Sequence, residues 1–256
     1  MNKDHHSLLE LLNQEVERFN HPNFIPDDPI SIPHRFRRKE DIEISAFLVA
    51  TIAWGNRKSI LANANQLMEL MLNAPYEFIM DHCRNDLLLL EQFTHRTFQG
   101  IDLQTFIAGL RNIYLRYGGP EAIFTRYQTA DSLQPAISEF KKLFFSIPHS
   151  SRTQKHISDP AKGSAAKRIN LFLRWMIRND DKGVDFGLWK QISPSKLSCP
   201  LDIHSGRVAR ELGLLTRKQN DAKAVQELDR VLRQFDPTDP AKYDFALFGL
   251  GTTKAV

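Results

Sequence analysis

Apolar residues recur at intervals of three and four positions along most of the chain. The first of these stripes contains Leu8, Leu12, Val16 and Phe19. Such spacing places the side chains on one face of an α-helix. The pattern therefore predicts an all-α fold with about ten or more helices. Further stripes lie at residues 40–54, 58–72, 103–114, 136–144, 169–176 and 225–232.

Glycine and proline residues mark several predicted helix ends. The stripe that ends near Tyr117 is followed by a Gly-Gly-Pro sequence, which predicts a glycine stop and a new helix at the proline. A last helix is predicted to open at Pro240 and to end at Gly249 and Gly251. Strand-like alternation is confined to residues 24–25 and 30–32, between prolines.

The chain length suits one large domain or two lobes that share a cleft, since it has 256 residues. We expect residues 1–38 to form an N-terminal helix and a loop that pack on the body. Residues 39–256 are expected to form that helical body, with two lobes around a cleft.

The composition narrows the cellular context. No apolar run approaches the roughly 20 residues that a membrane span needs, and the N-terminus resembles no signal peptide. The two cysteines, Cys83 and Cys199, are too few for a four-cysteine iron–sulfur cluster and predict a reducing cytoplasm. The formal charge of +4 is compatible with an anionic partner but does not require one. Basic residues concentrate at 35–39, 152–168 and 207–218.

A glycine turn precedes the helix that contains Lys167. Backbone N–H groups at Gly163 and Ser164 are predicted to be free to bind an anion such as a phosphate. The helix dipole and partial burial would lower the pKa of Lys167, and a neutral lysine is a nucleophile. The alternative is that Lys167 is an ordinary surface lysine.

Asp202 stands where an extended segment turns into a helix, a position typical of an N-cap. A carboxylate there stays ionised and can stabilise a positively charged transition state, but it can also be a cap alone. His204 is expected to be buried and bonded to the backbone. A metal role is not expected for it, because no ligand partners lie at useful spacing. Arg207 and Arg210 either bind phosphate or pair with acidic neighbours, which are Glu211 and Asp221.

These residues resemble a known family. Asp202, His204, Arg207, Val208, Arg210, Leu212 and Gly213 stand in the order found in helix–hairpin–helix DNA glycosylases of the endonuclease III type. Residues 163–167 occupy the place of that family's hairpin, near 155–180. The long loop before Asp202 and the altered hairpin, with Ala165 where a second glycine is usual, are most similar to archaeal 8-oxoguanine glycosylases.

The resemblance implies a two-lobed helical glycosylase fold and a base-excision reaction with abasic-site (AP) lyase activity. Lys167 would be the nucleophile and Asp202 its electrostatic partner, supported by His204 and Arg210. DNA would be bound by Gly163, Ser164, Ala165, Arg168, Arg207, Trp54 and Asn56, the last two as candidates to fill the gap left by a flipped base.

The implied partner is double-stranded DNA with a damaged base, and an oxidised purine is one candidate lesion. The chain is expected to act as a monomer on the nucleoid in the cytoplasm, without a membrane partner, metal or cofactor. The alternative function is a non-catalytic helix–hairpin–helix DNA-binding protein, in which Lys167 only contacts phosphate.

Overall fold

The computed structural model describes the backbone of residues 3–253 and the side chains of residues 6–252. Residues 1–2 and 254–256, at the outer ends of the predicted segments 1–38 and 39–256, lie outside the described residues. The described chain is mostly helical, which confirms the predicted all-α class. Within it, no helix is long and apolar enough to cross a membrane.

Twelve α-helices are present in residues 3–253. They are α1 (Lys3–Phe19), α2 (Lys39–Ile52), α3 (Arg57–Leu70), α4 (Pro75–Asp81), α5 (Arg84–Leu89), α6 (Gly100–Tyr117), α7 (Pro120–Tyr127), α8 (Gln134–Phe144), α9 (Lys167–Ile177), α10 (Ile203–Glu211), α11 (Ala222–Phe235) and α12 (Tyr243–Thr253). A two-stranded antiparallel hairpin joins β1 (Thr94–His95) to β2 (Phe98–Gln99).

The predicted boundary after Tyr117 is confirmed. Helix α6 ends there, and Gly118 adopts a left-handed conformation with φ of 77°. Its N–H donates to the carbonyl of Tyr114 at 3.3 Å. Helix α7 then begins at Pro120, whose missing N–H would be unpaired in a first turn anyway.

Some local features had no prediction. Residues 24–25 and 30–32, which show strand-like alternation inside the predicted loop, belong to a run of 3₁₀ turns that includes Pro22–Asp27 and Pro29–Ser31. Proline sets φ near −65°, which suits a 3₁₀ turn, so the prolines outweigh the alternation. The short β-hairpin and helices α4 and α5 had no predicted counterpart.

The predicted end of the last helix was wrong. Gly249 and Gly251 lie inside α12, which continues to Thr253. Gly249 permits close packing against α1 rather than ending its helix: a Cβ there would lie 2.1 Å from Cε2 of Phe19. A glycine thus stands where two helices approach too closely for any side chain.

The described residues form two compact units. The first unit comprises residues 3–24, 128–135 and 159–253, and the second comprises residues 25–127 and 136–158. Residue 38, the predicted end of the N-terminal segment, lies within the second unit.

The core of the first unit surrounds the chain segments that carry the candidate chemistry. Leu201, Val208 and Ala165 are buried in it, together with residues of α1, α11 and α12. Leu201 directly precedes Asp202, and Val208 lies on α10. The position of this segment is therefore set by apolar burial, worth about 1.5–3 kcal/mol for each large side chain.

The core of the second unit is rich in phenylalanine. The ring of Phe106 stacks on Phe47 with centroids 5.7 Å apart and contacts the edges of Phe98 and Phe144 at 5.1 and 5.0 Å. Such aromatic pairs contribute roughly 0.5–1.5 kcal/mol beyond their buried area.

The two glycines of α12 provide a test of its packing against α1. Gly249→Ala is expected to lower the free energy of unfolding by about 1–3 kcal/mol, because the added methyl meets the Phe19 ring. Gly251→Ala is the matched control, since its Cβ would lie 3.5 Å from Val208 in ordinary contact. It should be neutral or stabilising by up to about 1 kcal/mol. Urea unfolding of both variants measures this, and equal stabilities would contradict the prediction.

Candidate active site at the start of helix α10

Asp202 caps helix α10, as the sequence predicts. Its Oδ1 accepts hydrogen bonds from the backbone N–H groups of His204 and Ser205 at 2.8 and 2.9 Å. The Ser205 hydroxyl oxygen accepts in return from the N–H of Asp202 at 2.9 Å. This reciprocal arrangement is a capping box, and it fixes the orientation of the carboxylate.

Lys167 reaches the other oxygen of the same carboxylate. Its Nζ lies 3.7 Å from Oδ2 of Asp202, and the two side chains are 29% and 37% exposed. Lys167 is the first residue of α9, and both residues belong to the first unit. The structure therefore brings together the two residues that the sequence pairs, and leaves both accessible to solvent.

The turn before α9 differs from the prediction. Gly163 is left-handed with φ of 86°, but its N–H donates to the Pro160 carbonyl at 2.9 Å. The N–H of Ser164 donates to the Asp159 carbonyl at 3.2 Å. These two groups, predicted to be free for an anion, are thus bonded within the chain.

Helix α9 begins without a side-chain cap. Its N-cap residue, Ala166, is left-handed with φ of 48°, a conformation that costs a non-glycine residue roughly 1–2 kcal/mol. Ala165 is buried in the core of the first unit, and its carbonyl accepts a hydrogen bond from the Asn170 side chain at 3.1 Å. The methyl group of Ala165 therefore faces the protein interior.

The segment before this turn holds no α-helix within residues 145–166. Two 3₁₀ helices, Ser151–His156 and Pro160–Lys162, stand where the first helix of a hairpin motif would lie. The predicted hairpin near 155–180 thus consists of short turns followed by α9.

Asn220 holds the backbone of Asp202, and sequence reasoning missed it. Its Nδ2 donates to the Asp202 carbonyl at 2.7 Å, and its Oδ1 accepts from Arg210 at 2.6 Å. Arg210 also donates to the Arg217 carbonyl at 2.8 Å. A Cβ at Gly206 would lie 2.6 Å from Asn220 Oδ1. No sequence signal links Asn220 to Asp202, which lies 18 positions earlier. Ser205, by contrast, could have been predicted from its place three residues after Asp202, where the partner in a capping box stands.

The other predicted site residues of the first unit, His204, Arg207 and Arg168, differ in how far they are exposed. His204 is exposed, so its expected burial was wrong: it lies on the open side of the first turn of α10. Arg207 is exposed, with Nε 3.9 Å from Glu211 and Nη2 3.4 Å from the Gly251 carbonyl. Arg168 is partly buried, and burial lowers the pKa of its guanidinium to about 10.

Trp54 and Asn56 belong to the second unit. The Trp54 ring contacts His95 edge to face, with centroids 4.9 Å apart, and its backbone carbonyl bonds the His95 ring. The Asn56 side chain caps α3 by accepting from the N–H of Ser59 at 3.3 Å. Their predicted role beside a flipped base stays a prediction.

The charges of Lys167 and Asp202 act on a buried acidic group, Asp244. Burial raises the pKa of Asp244, while the positive charges of Arg174 and Lys167 oppose that rise and the charge of Asp202 adds to it. Asp244 is paired with Arg174, and the Cys199 thiol lies 3.8 Å from its Oδ1. Burial also raises the pKa of this thiol well above its usual range.

Asp229 anchors the segment that leads to Asp202. Its Oδ1 accepts from the N–H of Cys199 at 3.0 Å. Burial raises the pKa of Asp229 to about 6, although a hydrogen bond with Ser198 acts to lower it. Among the residues whose side chains are described, no group of three or more His, Cys, Asp or Glu is placed to hold a metal ion.

Comparison with known proteins identifies one family. The family model described as "Protein of unknown function (DUF2400)" matches residues 28–253. No curated protein and no solved structure matches the chain.

The capping role of Asp202 can be separated from its charge. Asp202→Ala removes both backbone acceptors and should lower the free energy of unfolding by about 0.5–2 kcal/mol. Asp202→Asn keeps an equally good cap and loses only a partly exposed ion pair, so its effect should stay below about 1 kcal/mol. Urea unfolding at neutral pH measures both, and equal losses would show that the charge outweighs the cap.

Asp229 should make stability depend on pH. Its pKa of about 6 lies above the ordinary value of 3.8, so between these values the folded protein holds a proton that the unfolded chain has released. The resulting stability is fully present below about pH 4 and is lost as the pH rises through 6. Relative to Asp229→Asn, the wild type should lose roughly 2–3 kcal/mol between pH 4 and pH 7. Chemical denaturation across this range measures the difference, and a constant value would contradict the raised pKa.

Proposed function

We propose that this chain, which belongs to the DUF2400 family, is a DNA glycosylase with AP-lyase activity that removes a damaged base from double-stranded DNA. The observation that carries the proposal is the approach of Lys167 Nζ to Asp202 Oδ2, at 3.7 Å, with both side chains open to solvent. An amine and a fixed carboxylate within ion-pair distance are the groups that this reaction needs, without metal or cofactor.

The proposal includes a fold of the helix–hairpin–helix glycosylase type. Three features support it: the helical architecture, a left-handed Gly163 shortly before the helix of Lys167, and an aspartate cap on the helix that follows. The 3₁₀ turns before Gly163 depart from an ordinary hairpin. We therefore place the likeness in α9, α10 and the segment between them.

In the first step, Lys167 displaces the base. The ammonium group loses a proton, and the lone pair of Nζ attacks C1′ of the flipped nucleotide. The bond between C1′ and the base breaks, its electron pair leaves with the base, and the base takes up a proton. Flipping itself costs a few kcal/mol, least for a damaged pair.

In the second step, the sugar ring opens and the strand is cut. The C1′–O4′ bond breaks to form an imine between Nζ and C1′, and O4′ becomes a hydroxyl. Loss of a proton from C2′ then expels the 3′ phosphate by β-elimination. Water finally hydrolyses the imine and releases Lys167.

Asp202 stabilises the positive charge that develops on the sugar during the first step. Its Oδ1 is occupied by the helix cap, so Oδ2 is the oxygen that faces Lys167 and the reacting carbon. A charge that is held in place before the reaction costs no reorganisation, and electrostatic contacts of this kind contribute roughly 100- to 1,000-fold in rate.

DNA backbone binding is assigned to the open surface of the Gly163 turn and to Arg168 and Arg207. The Gly163 Cα faces open space, since an added Cβ would meet nothing within 4 Å. Arg207 is exposed, and Arg168, with a pKa of about 10, remains charged at neutral pH. Such contacts position the duplex without reading its sequence.

The remaining assignments rest on the family resemblance. An oxidised purine is the first lesion to test. The protein would act as a monomer on the nucleoid in the cytoplasm.

Borohydride trapping tests the reaction, because borohydride reduces the imine to a stable amine. Wild-type protein is expected to form a covalent adduct with at least one duplex in a panel of damaged bases. Lys167→Gln should form none, because an amide has no nucleophilic amine. Asp202→Asn, which keeps the cap, should form the adduct roughly 100-fold more slowly or worse.

The control is Lys190→Gln, which changes an exposed lysine of the same unit that donates to the Asn179 side chain. It should trap like the wild type. An adduct that survives in Lys167→Gln would refute the assigned nucleophile. If the wild type binds duplex DNA but is trapped on none of the lesions, the non-catalytic DNA-binding function replaces this proposal.

A further inference from the structure

Two segments of the first unit lie side by side. Ser164 forms an antiparallel bridge with Asp221, and the N–H of Ala222 donates to the Gly163 carbonyl at 3.0 Å. The turn at 162–164 is therefore joined through its backbone to the segment 217–223, which comprises the end of the connection between α10 and α11 and the first two residues of α11. The two segments are about 55 positions apart in sequence, and only the fold brings them together.

This pairing brings lysines together. In the register of the bridge, Lys162 stands opposite Lys223, one position beyond the bonded pair Gly163 and Ala222. Lys218 lies in the same segment as Asp221. All three lysines are exposed, and none forms an ion pair among the residues whose side chains are described.

The acidic groups around these lysines are already engaged. Asp221 accepts from Arg217 Nε at 2.7 Å and from the N–H of Ala224. Glu227 accepts from Thr216. Asp159 accepts from the N–H of Ala161 at 3.0 Å. Arg217 offsets the charge of Asp221, whereas hydrogen bonds from uncharged donors do not neutralise Glu227 or Asp159. The three lysines and Arg217 nevertheless outnumber these three carboxylates.

Residues 162–164 and 217–223 lack the exposed apolar side chains that would insert into a lipid surface. The largest exposed apolar side chains of the described residues are Leu72, Leu88, Leu89, Ile101, Leu115 and Ile203, and none lies in either segment. Membrane-surface sites combine basic residues with apolar ones. Exposed lysines without apolar neighbours instead suit the phosphates of a nucleic acid.

We propose that Lys162, Lys218 and Lys223 form a second DNA-backbone contact, which extends the Gly163 turn by the adjoining segment 217–223. The ligand is the phosphate backbone of double-stranded DNA, bound without regard to sequence. This inference rests on the proposed function and adds to it a set of contacts beyond Arg168, Arg207 and the glycine turn.

Salt dependence of DNA binding tests the proposal. Each lysine that neutralises a phosphate contributes about −0.9 to the slope of log K against log salt. The triple variant Lys162→Gln, Lys218→Gln, Lys223→Gln should therefore reduce the magnitude of the slope by roughly 2 to 3, and weaken binding roughly 10- to 100-fold near 0.1 M salt. Fluorescence anisotropy with an undamaged duplex measures both, and Lys190→Gln is the control that should leave them unchanged.

Each outcome is decisive. A slope equal to that of the wild type, in a triple variant with an unchanged circular dichroism melt, would overturn the second contact while leaving the glycosylase proposal intact. If the wild type does not bind duplex DNA at all, both proposals fail. At low salt and saturating protein the triple variant should still be trapped by borohydride, because Lys167 and Asp202 are unaltered.

Discussion

The two oxygens of the Asp202 carboxylate have different tasks, and the candidate chemistry depends on that division. Oδ1 accepts the N–H groups that open α10, and Oδ2 faces Lys167. A partly exposed ion pair contributes about 0–1 kcal/mol, whereas burial of Leu201 and Val208 beside it contributes about 1.5–3 kcal/mol each. The ion pair therefore does not hold the fold together. The fold holds the amine and the carboxylate in place, as a preorganised site requires.

Helix α9 supports Lys167 through ion pairs deeper in the first unit. Arg174 on α9 and Arg178 at its C-cap both bind Asp185, and Arg178 also binds Asp239 at 2.9 Å. Buried ion pairs contribute little net stability, but removing one partner costs about 3–5 kcal/mol because the other charge remains buried. These contacts restrict the rotation of α9 about its axis. They thereby set the position of the Lys167 backbone at its first residue.

Strain and close packing occur around the same site. Ala166 is left-handed immediately before Lys167, although that conformation costs alanine roughly 1–2 kcal/mol of free energy. Gly206 has room for no side chain because Asn220 lies against it, and Asn220 holds the Asp202 carbonyl. Both features act on the backbone beside a candidate catalytic residue, where strained or crowded positions are most often tolerated. Together they fix the backbone from which the Lys167 and Asp202 side chains extend.

The sequence by itself determined the helical class, the glycine end of α6 and the cap of α10, because these depend on residues within a few positions of each other. It also paired Lys167 with Asp202, although only through a family resemblance. Tertiary structure alone decided that Gly249 lies within α12, where the Phe19 ring needs the space, and that Asn220 and Asp229 hold the segment around Asp202. It also decided that the N–H groups of Gly163 and Ser164 bond within the chain. Contacts between distant residues leave no periodic pattern, since their partners are selected by the packing of whole helices.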